Sequence, residues 1–272
     1  MDRSHTFELE FDKVLELVAA HARTGVGRAV VRSLAQPFAG IDDRLRAAHR
    51  SLAVEEIIED SDPIGLSGVD DAVPWLEPGT ALPADPRDLL SLLTLARRVA
   101  TVRRRLVDSE NELIEELASQ LPETTSLVAA VAPKLSRDGS ITDDASPELA
   151  RLRREMARTR TEILAELEGS RRAHRDVVTD APPTLRRDRY CLPVRSSARA
   201  QMNGLLLDVS ARGATSFVEP FAVVEFNNRL IAAGAGERRE IQRILHEITA
   251  LFAEARDDLA RAVRVQGELD AV

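Results

Sequence analysis

The chain is poor in the residues that carry most enzyme chemistry. It has one cysteine, Cys191, so no internal disulfide can form and a reducing cytosol is the expected compartment. Aromatic residues make up 3% against 44% hydrophobic residues, so Leu, Ala and Val must do the packing, as in helix-on-helix contacts. Lysine occurs at Lys13 and Lys134 alone, the mark of a GC-rich coding bias. Those two follow Asp12 and Pro133, which excludes a P-loop, where lysine must follow glycine to reach phosphates. Gly25-Val26-Gly27 leads to Val30 and not to a third glycine, which excludes a dinucleotide fingerprint. The histidines at 5, 21, 49, 174 and 246 are scattered with no ligand spacing, so no metal or cofactor is expected. No apolar run approaches the roughly 20 residues of a membrane span, and MDRSHTFELEFDK has no signal-peptide core. Asp143-Asp144 reads as loop, Ser210 as turn, Cys191 as a small core residue and Trp75 as a packing residue.

What the chain does have is charge and helical periodicity. Charged residues are 30% of the sequence and the formal net charge is -8. That charge is uneven. Between Arg151 and Gly213 stand 14 arginines against 8 acids, about +6, which leaves the remainder near -14. A basic segment in an acidic chain points to a phosphate-bearing partner. Part of it reads instead as a solvated helix face with i,i+4 pairs such as Arg158 with Glu162.

Helical signals fill the first half. Asp12 stands as a cap before Val14, Leu15, Leu17, Val18 and Ala22; Thr24 starts a second helix ending near Pro37; Asp42 starts a third towards Asp60. After a proline-rich loop, Pro86 opens a helix through Leu89, Leu92, Leu93 and Val99. Short helices are expected over 110–120 and 124–132, and Arg137-Asp138-Gly139 reads as a hairpin turn. Ser146-Pro147-Glu148 is a strong helix start: a capping serine, proline in the first turn, then an acid at the positive dipole end. Leu149, Leu152, Met156, Ile163 and Leu167 follow at threes and fours, with a gap at Thr159-Arg160, on a helix expected to reach Thr179. A second narrow stripe, Ile241, Ile244, Ile248, Leu251, Ala255, Leu259, Ala262, Gln266 and Leu269, predicts one long helix from Phe221 to the last residue.

Between the two helices lie β signals. Tyr190–Val194, Leu205–Val209 and Thr215–Val218 are apolar runs broken at Asn203-Gly204 and Arg212-Gly213. The fold class expected is therefore mainly α: a helical core with two long antiparallel helices carrying a small antiparallel β domain. A two-helix arm folded back on the core with a β cap is the alternative. Tracing the strands outwards and back puts the turns at 187–188 and 211–213 together at the tip of the arm. Arg187 and Arg212, with Arg186 and Arg189 beside them, are the candidate phosphate contacts; Arg195 and Arg199 rank second.

Three segments resemble a known family. LEFDKVLELVAAHARTGVGR (Leu9–Arg28), DGSITDDASPELARLRREM (Asp138–Met156), and RDRYCLPVR followed by GLLLDVSARGATSFVEPFAVVEFNNRL are similar to the N-terminal half of the second bacterial subfamily of MutS proteins, which lacks mismatch-recognition domains. The resemblance implies a helical core domain over 1–145, a first lever helix over 146–180, a β clamp over 181–220, and a second lever helix over 221–272. It implies a homodimeric full protein that binds branched or duplex DNA and restrains recombination, or that acts on stalled ribosomes and their rRNA. ATP with Mg, and any nuclease activity, are expected only in domains beyond this chain, which reads as a truncated or separated portion and not an enzyme by itself. Arg195 stands where the family often has lysine, and Arg187-Asp188 replaces its usual Asn-Gly turn. The competing reading is a dimerisation scaffold of long helices with no nucleic-acid contact.

Overall fold

A computed structural model describes residues 11–33, 49, 52, 69–83, 85–107 and 111–271. The chain divides into two compact units, 1–142 with 245–272, and 143–244. The expected helix from Asp42 to Asp60 lies outside the described residues.

The first unit is helical: α1 (Phe11–Ala19), α2 (Gly25–Ser33), α3 (Val73–Leu76), α4 (Pro86–Val107), α5 (Glu112–Gln120) and α6 (Thr125–Val131). Asp12 lies within α1. Thr24 does cap α2: its hydroxyl accepts from the Gly27 N–H at 2.9 Å. Pro86 opens α4, whose Leu89, Leu92, Leu93, Leu95, Val99 and Leu106 are all fully buried, a full apolar face at helical spacing. The expected hairpin at Arg137-Asp138-Gly139 is a single bridge, Leu135 with Ile141, closed by Gly139 at φ 84°.

The expected C-terminal helix is two: α8 (Phe221–Glu254) and α9 (Arg256–Asp270), separated at Ala255 with φ -88° and ψ 0°. Hydrogen bonds still run through the break, from Ala255 N–H to Leu251 at 3.2 Å and from Leu259 N–H to Ala255 at 2.9 Å. In the first unit α9 packs on α2 through a glycine: a Cβ on Gly267 would stand 2.5 Å from Val26 Cγ1. Only a residue without a side chain lets the two backbones approach so far.

The second unit begins with a 3₁₀ turn (Asp143–Ala145) and α7 (Pro147–Ala173). Ser146 is extended and its hydroxyl accepts from the Leu149 N–H at 3.0 Å, as the Ser-Pro-Glu signal requires. The gap in the α7 stripe is filled by Thr159, which is buried with Leu152, Ile163 and Leu167. The helix stops at Ala173, earlier than periodicity suggested. Val177 and Val178 leave it because they belong to the sheet: Val178 bridges Val194, and both valines are buried. α7 and the first part of α8 run antiparallel. Arg153 pairs with Glu237 at 2.8 Å and Glu162 with Arg229 at 3.0 Å, so rising numbers on one helix meet falling numbers on the other.

Strands β1 (Thr184–Arg186), β2 (Arg189–Arg195), β3 (Gly204–Val209) and β4 (Thr215–Pro220) form an antiparallel sheet in the order β1-β2-β4-β3, with a bulge in β3. Its inner face, Leu192, Val194 and Val218, packs on Ile163 and Leu167 of α7 and on Val223 and Leu230 of α8. The chain is thus mainly α with a small antiparallel β domain, as its pattern implied. No helix among the described residues is long and apolar enough to cross a membrane.

Candidate nucleic-acid interface

The six candidate arginines sit on or beside the sheet, and the strand register decides their grouping. β2 and β4 are antiparallel, with Leu192 opposite Val218 and Arg195 opposite Thr215. The β1–β2 turn at Arg187-Asp188 therefore lies towards the end of β4. The β3–β4 turn at 210–214 lies at the other end, beside Arg195 and Ser196, whose N–H donates to Ala214 at 3.0 Å. The expectation that both turns meet at one tip is overturned. It assumed that β2 and β4 run the same way, whereas hydrogen bonding pairs them in opposite directions. The seven residues from Arg189 to Arg195 span on the order of 20 Å of strand.

At the first end, the turn keeps the conformation that Asn-Gly would favour. Arg187 and Asp188 both have positive φ, 51° and 60°, as a type I′ turn requires. Arg187 is exposed and has no carboxylate partner among the described residues. Its neighbours are engaged. Arg186 lies over the Phe217 ring, 4.1 Å from the centroid, and 3.6 Å from Asp208. Arg189 pairs with the fully buried Glu219 and donates to Asn228. The Asn227 amide holds the same knot: it donates to Glu219 at 2.8 Å and exchanges hydrogen bonds with the backbone N–H and C=O of Tyr190, both at 3.0 Å. Asn227 thus acts as a strand partner for β2 where β4 has ended at Pro220. Glu219, Asn227 and Asn228 were missed as individual residues. The signal was an acid set in an apolar strand, followed by two adjacent asparagines in a helix.

At the second end, Arg195 is exposed and donates to the Asp176 carbonyl at 3.3 Å. Arg199 lies in a 3₁₀ turn (Ser196–Gln201), with its Nε buried and unpartnered. Arg212 is exposed in the β3–β4 turn, with no carboxylate partner among the described residues. Cys191 is fully buried, and burial pushes its thiol up to about 11, so it stays protonated at neutral pH and is a core residue.

The glycine-bearing start of α2 offers nothing to a nucleotide phosphate. Its N–H groups are taken by carboxylates: Asp270 accepts from Thr24 at 2.7 Å and from Arg23 at 3.0 Å, and Asp70 accepts from Gly25 at 2.8 Å. The positive helix end is already neutralised.

No protein-family model matches the chain. It is 32% identical over 283 residues to a protein named endonuclease MutS2 from Pelotomaculum thermopropionicum, covering 100% of this chain and 35% of that protein. It is 33% identical to the endonuclease MutS2 of Thermomicrobium roseum (96% and 34% covered) and 31% identical to that of Thermus thermophilus (97% and 34%). The chain spans about a third of the length of these curated relatives. Over its whole length, then, this chain is similar to one part of the MutS2 proteins, the MutS subfamily that its motifs resemble.

Proposed function

We propose that this chain is a non-catalytic nucleic-acid-binding region of a MutS-family protein. In this reading 1–145 is a helical core, 146–180 and 221–272 are the levers, and 181–220 is the clamp that contacts phosphates. ATP and magnesium act elsewhere in the whole protein, and the protein works as a cytoplasmic homodimer. One observation carries the reading: two antiparallel helices end in a small sheet that presents exposed arginines, Arg187, Arg195 and Arg212, without carboxylate partners among the described residues. Guanidinium groups on a sheet whose strand rings, Tyr190 and Phe217, are partly buried suit phosphate contacts and not base reading. Branched DNA is the preferred ligand; rRNA in stalled ribosomes offers the same backbone chemistry.

The test is binding of the chain to a four-way DNA junction, plain duplex and ribosomal subunits, each at two salt concentrations. Affinity that falls steeply with salt is expected, since each neutralised phosphate contributes about 0.9 to the slope on duplex DNA. Self-association without nucleic-acid affinity would replace this reading with the scaffold one.

A further inference from the structure

The geometry points to one end of the sheet as the phosphate-binding surface, and it adds three arginines of α7 to that surface: Arg171, Arg172 and Arg175. The inference rests on the nucleic-acid reading and states where on the unit the polyanion lies. After α7 the chain turns directly into the end of β2. Thr179 N–H donates to Pro193 at 2.9 Å, Arg195 N–H donates to Val177 at 2.9 Å, and the Arg195 side chain reaches the Asp176 carbonyl. A concavity of about 370 Å³ opens here, lined by Glu168, Arg171, Arg172, Arg175, Val178, Thr179 and Asp180. The β3–β4 turn with Arg212 joins the same end through Ser196 and Ala214.

Charge then separates the two ends. Arg171, Arg172 and Arg175 line the concavity with Glu168 and Asp180, and the same end of the sheet carries Arg195, Arg199 and Arg212 with Asp176: six cations and three carboxylates at this end. Arg171 and Arg172 share the single Glu168, at 3.7 and 3.9 Å. Arg175 is exposed, with no carboxylate partner among the described residues. The C-terminal end of α7 adds about half a negative charge, too little to cancel the excess. Near the Arg187 turn, Arg186, Arg187 and Arg189 face Asp188, Glu219 and, through the Arg186 side chain, Asp208, which the register sets opposite Phe217 towards the middle of the sheet; two of the three arginines are held in ion pairs. The ends are separated by more than the ~8 Å Debye length at physiological salt, so a backbone phosphate senses each separately. It is drawn to the concave, net-positive end.

The experiment compares duplex binding by the full chain, by Arg175→Glu/Arg212→Glu and by Arg187→Glu, across a salt series, with thermal unfolding as the control for folding. The first variant is expected to lose at least ~10-fold in affinity and roughly two units of salt slope, one per phosphate contact. Arg187→Glu, at the end where cations and carboxylates balance, is expected to lose less affinity and less salt slope than the pair. The neutral pair Arg175→Gln/Arg212→Gln should move in the same direction by a smaller step. Loss at Arg187→Glu with none at the Arg175/Arg212 pair overturns the assignment while leaving nucleic-acid binding intact. A wild-type chain with no salt-dependent affinity overturns the parent reading, and this one with it.

Discussion

The Arg189–Glu219 pair shows how a single residue can look functional in sequence and be structural in the fold. Glu219 is fully inaccessible, and Arg189 supplies its only cation among the described residues. Removing Arg189 alone leaves a buried carboxylate uncompensated. Arg189→Met should therefore destabilise the chain by about 3 kcal/mol. Arg189→Met/Glu219→Leu should recover most of that loss, because an apolar pair needs no compensation. Denaturant unfolding of the two variants checks this, and a double variant no better than the single one contradicts it. Glu240 contributes to the acid dependence. Arg243, and then the Ser146 hydroxyl at 2.6 Å, hold its carboxyl down at about 2, from an ordinary value of 4.5. The folded value lies below the unfolded one, so the stabilisation is complete above about pH 4.5 and drains away as pH falls towards 2. Glu240→Gln should be less stable than wild type at pH 7, and its stability should fall less between pH 4.5 and 2. Parallel stability curves across that window would remove Glu240 from the account.

At the scale of elements, the long C-terminal stripe is the instructive case. Spacing puts Leu251 on the buried line with Ile244 and Ile248. The structure leaves Leu251 half-buried and buries Phe252 almost completely. A helix turns 100° per residue, so positions at threes and fours drift around the axis over several turns, and the break at Ala255 resets the face for α9. Phe252→Ala should then cost roughly 3–5 kcal/mol and Leu251→Ala less than about 2 kcal/mol. Chemical denaturation of both variants decides it; equal losses would mean that the stripe and not the fold sets burial. The shortening of α7 has a similar cause. Val177 and Val178 gain a strand neighbour and an apolar cluster by leaving the helix.

At the scale of the molecule, the 143–244 unit holds its own core. Its apolar cluster, from Ile163 to Leu230, and its inter-helix pairs Arg153–Glu237 and Ser146–Glu240 all fall within those bounds. Residues 143–244 expressed alone should fold cooperatively, with helical circular dichroism and a single melting transition. A non-cooperative melt or a random-coil spectrum would show that the rest of the chain is required. The chain covers about a third of its MutS2 relatives, so an autonomous unit would carry the binding test without their other regions.

Local chemistry was legible in the residues alone. The cap at Ser146, the start at Pro86, the three apolar strand runs and the mainly α class all followed from interactions within a turn or two of chain. The six arginines were visible as charge, but their placement was not. Which end of the sheet each one occupies depends on β2 pairing with β4 across about twenty intervening residues, and strand direction leaves no mark in composition. The same holds for Glu219 and Asn227, whose partners lie on β2, and for Phe252 over Leu251. Sequence by itself determined the kinds of element, though not all their ends, and the sign of the charge. Only the tertiary structure decided which charges are paired, because pairing is set by distances between segments that the chain order keeps apart.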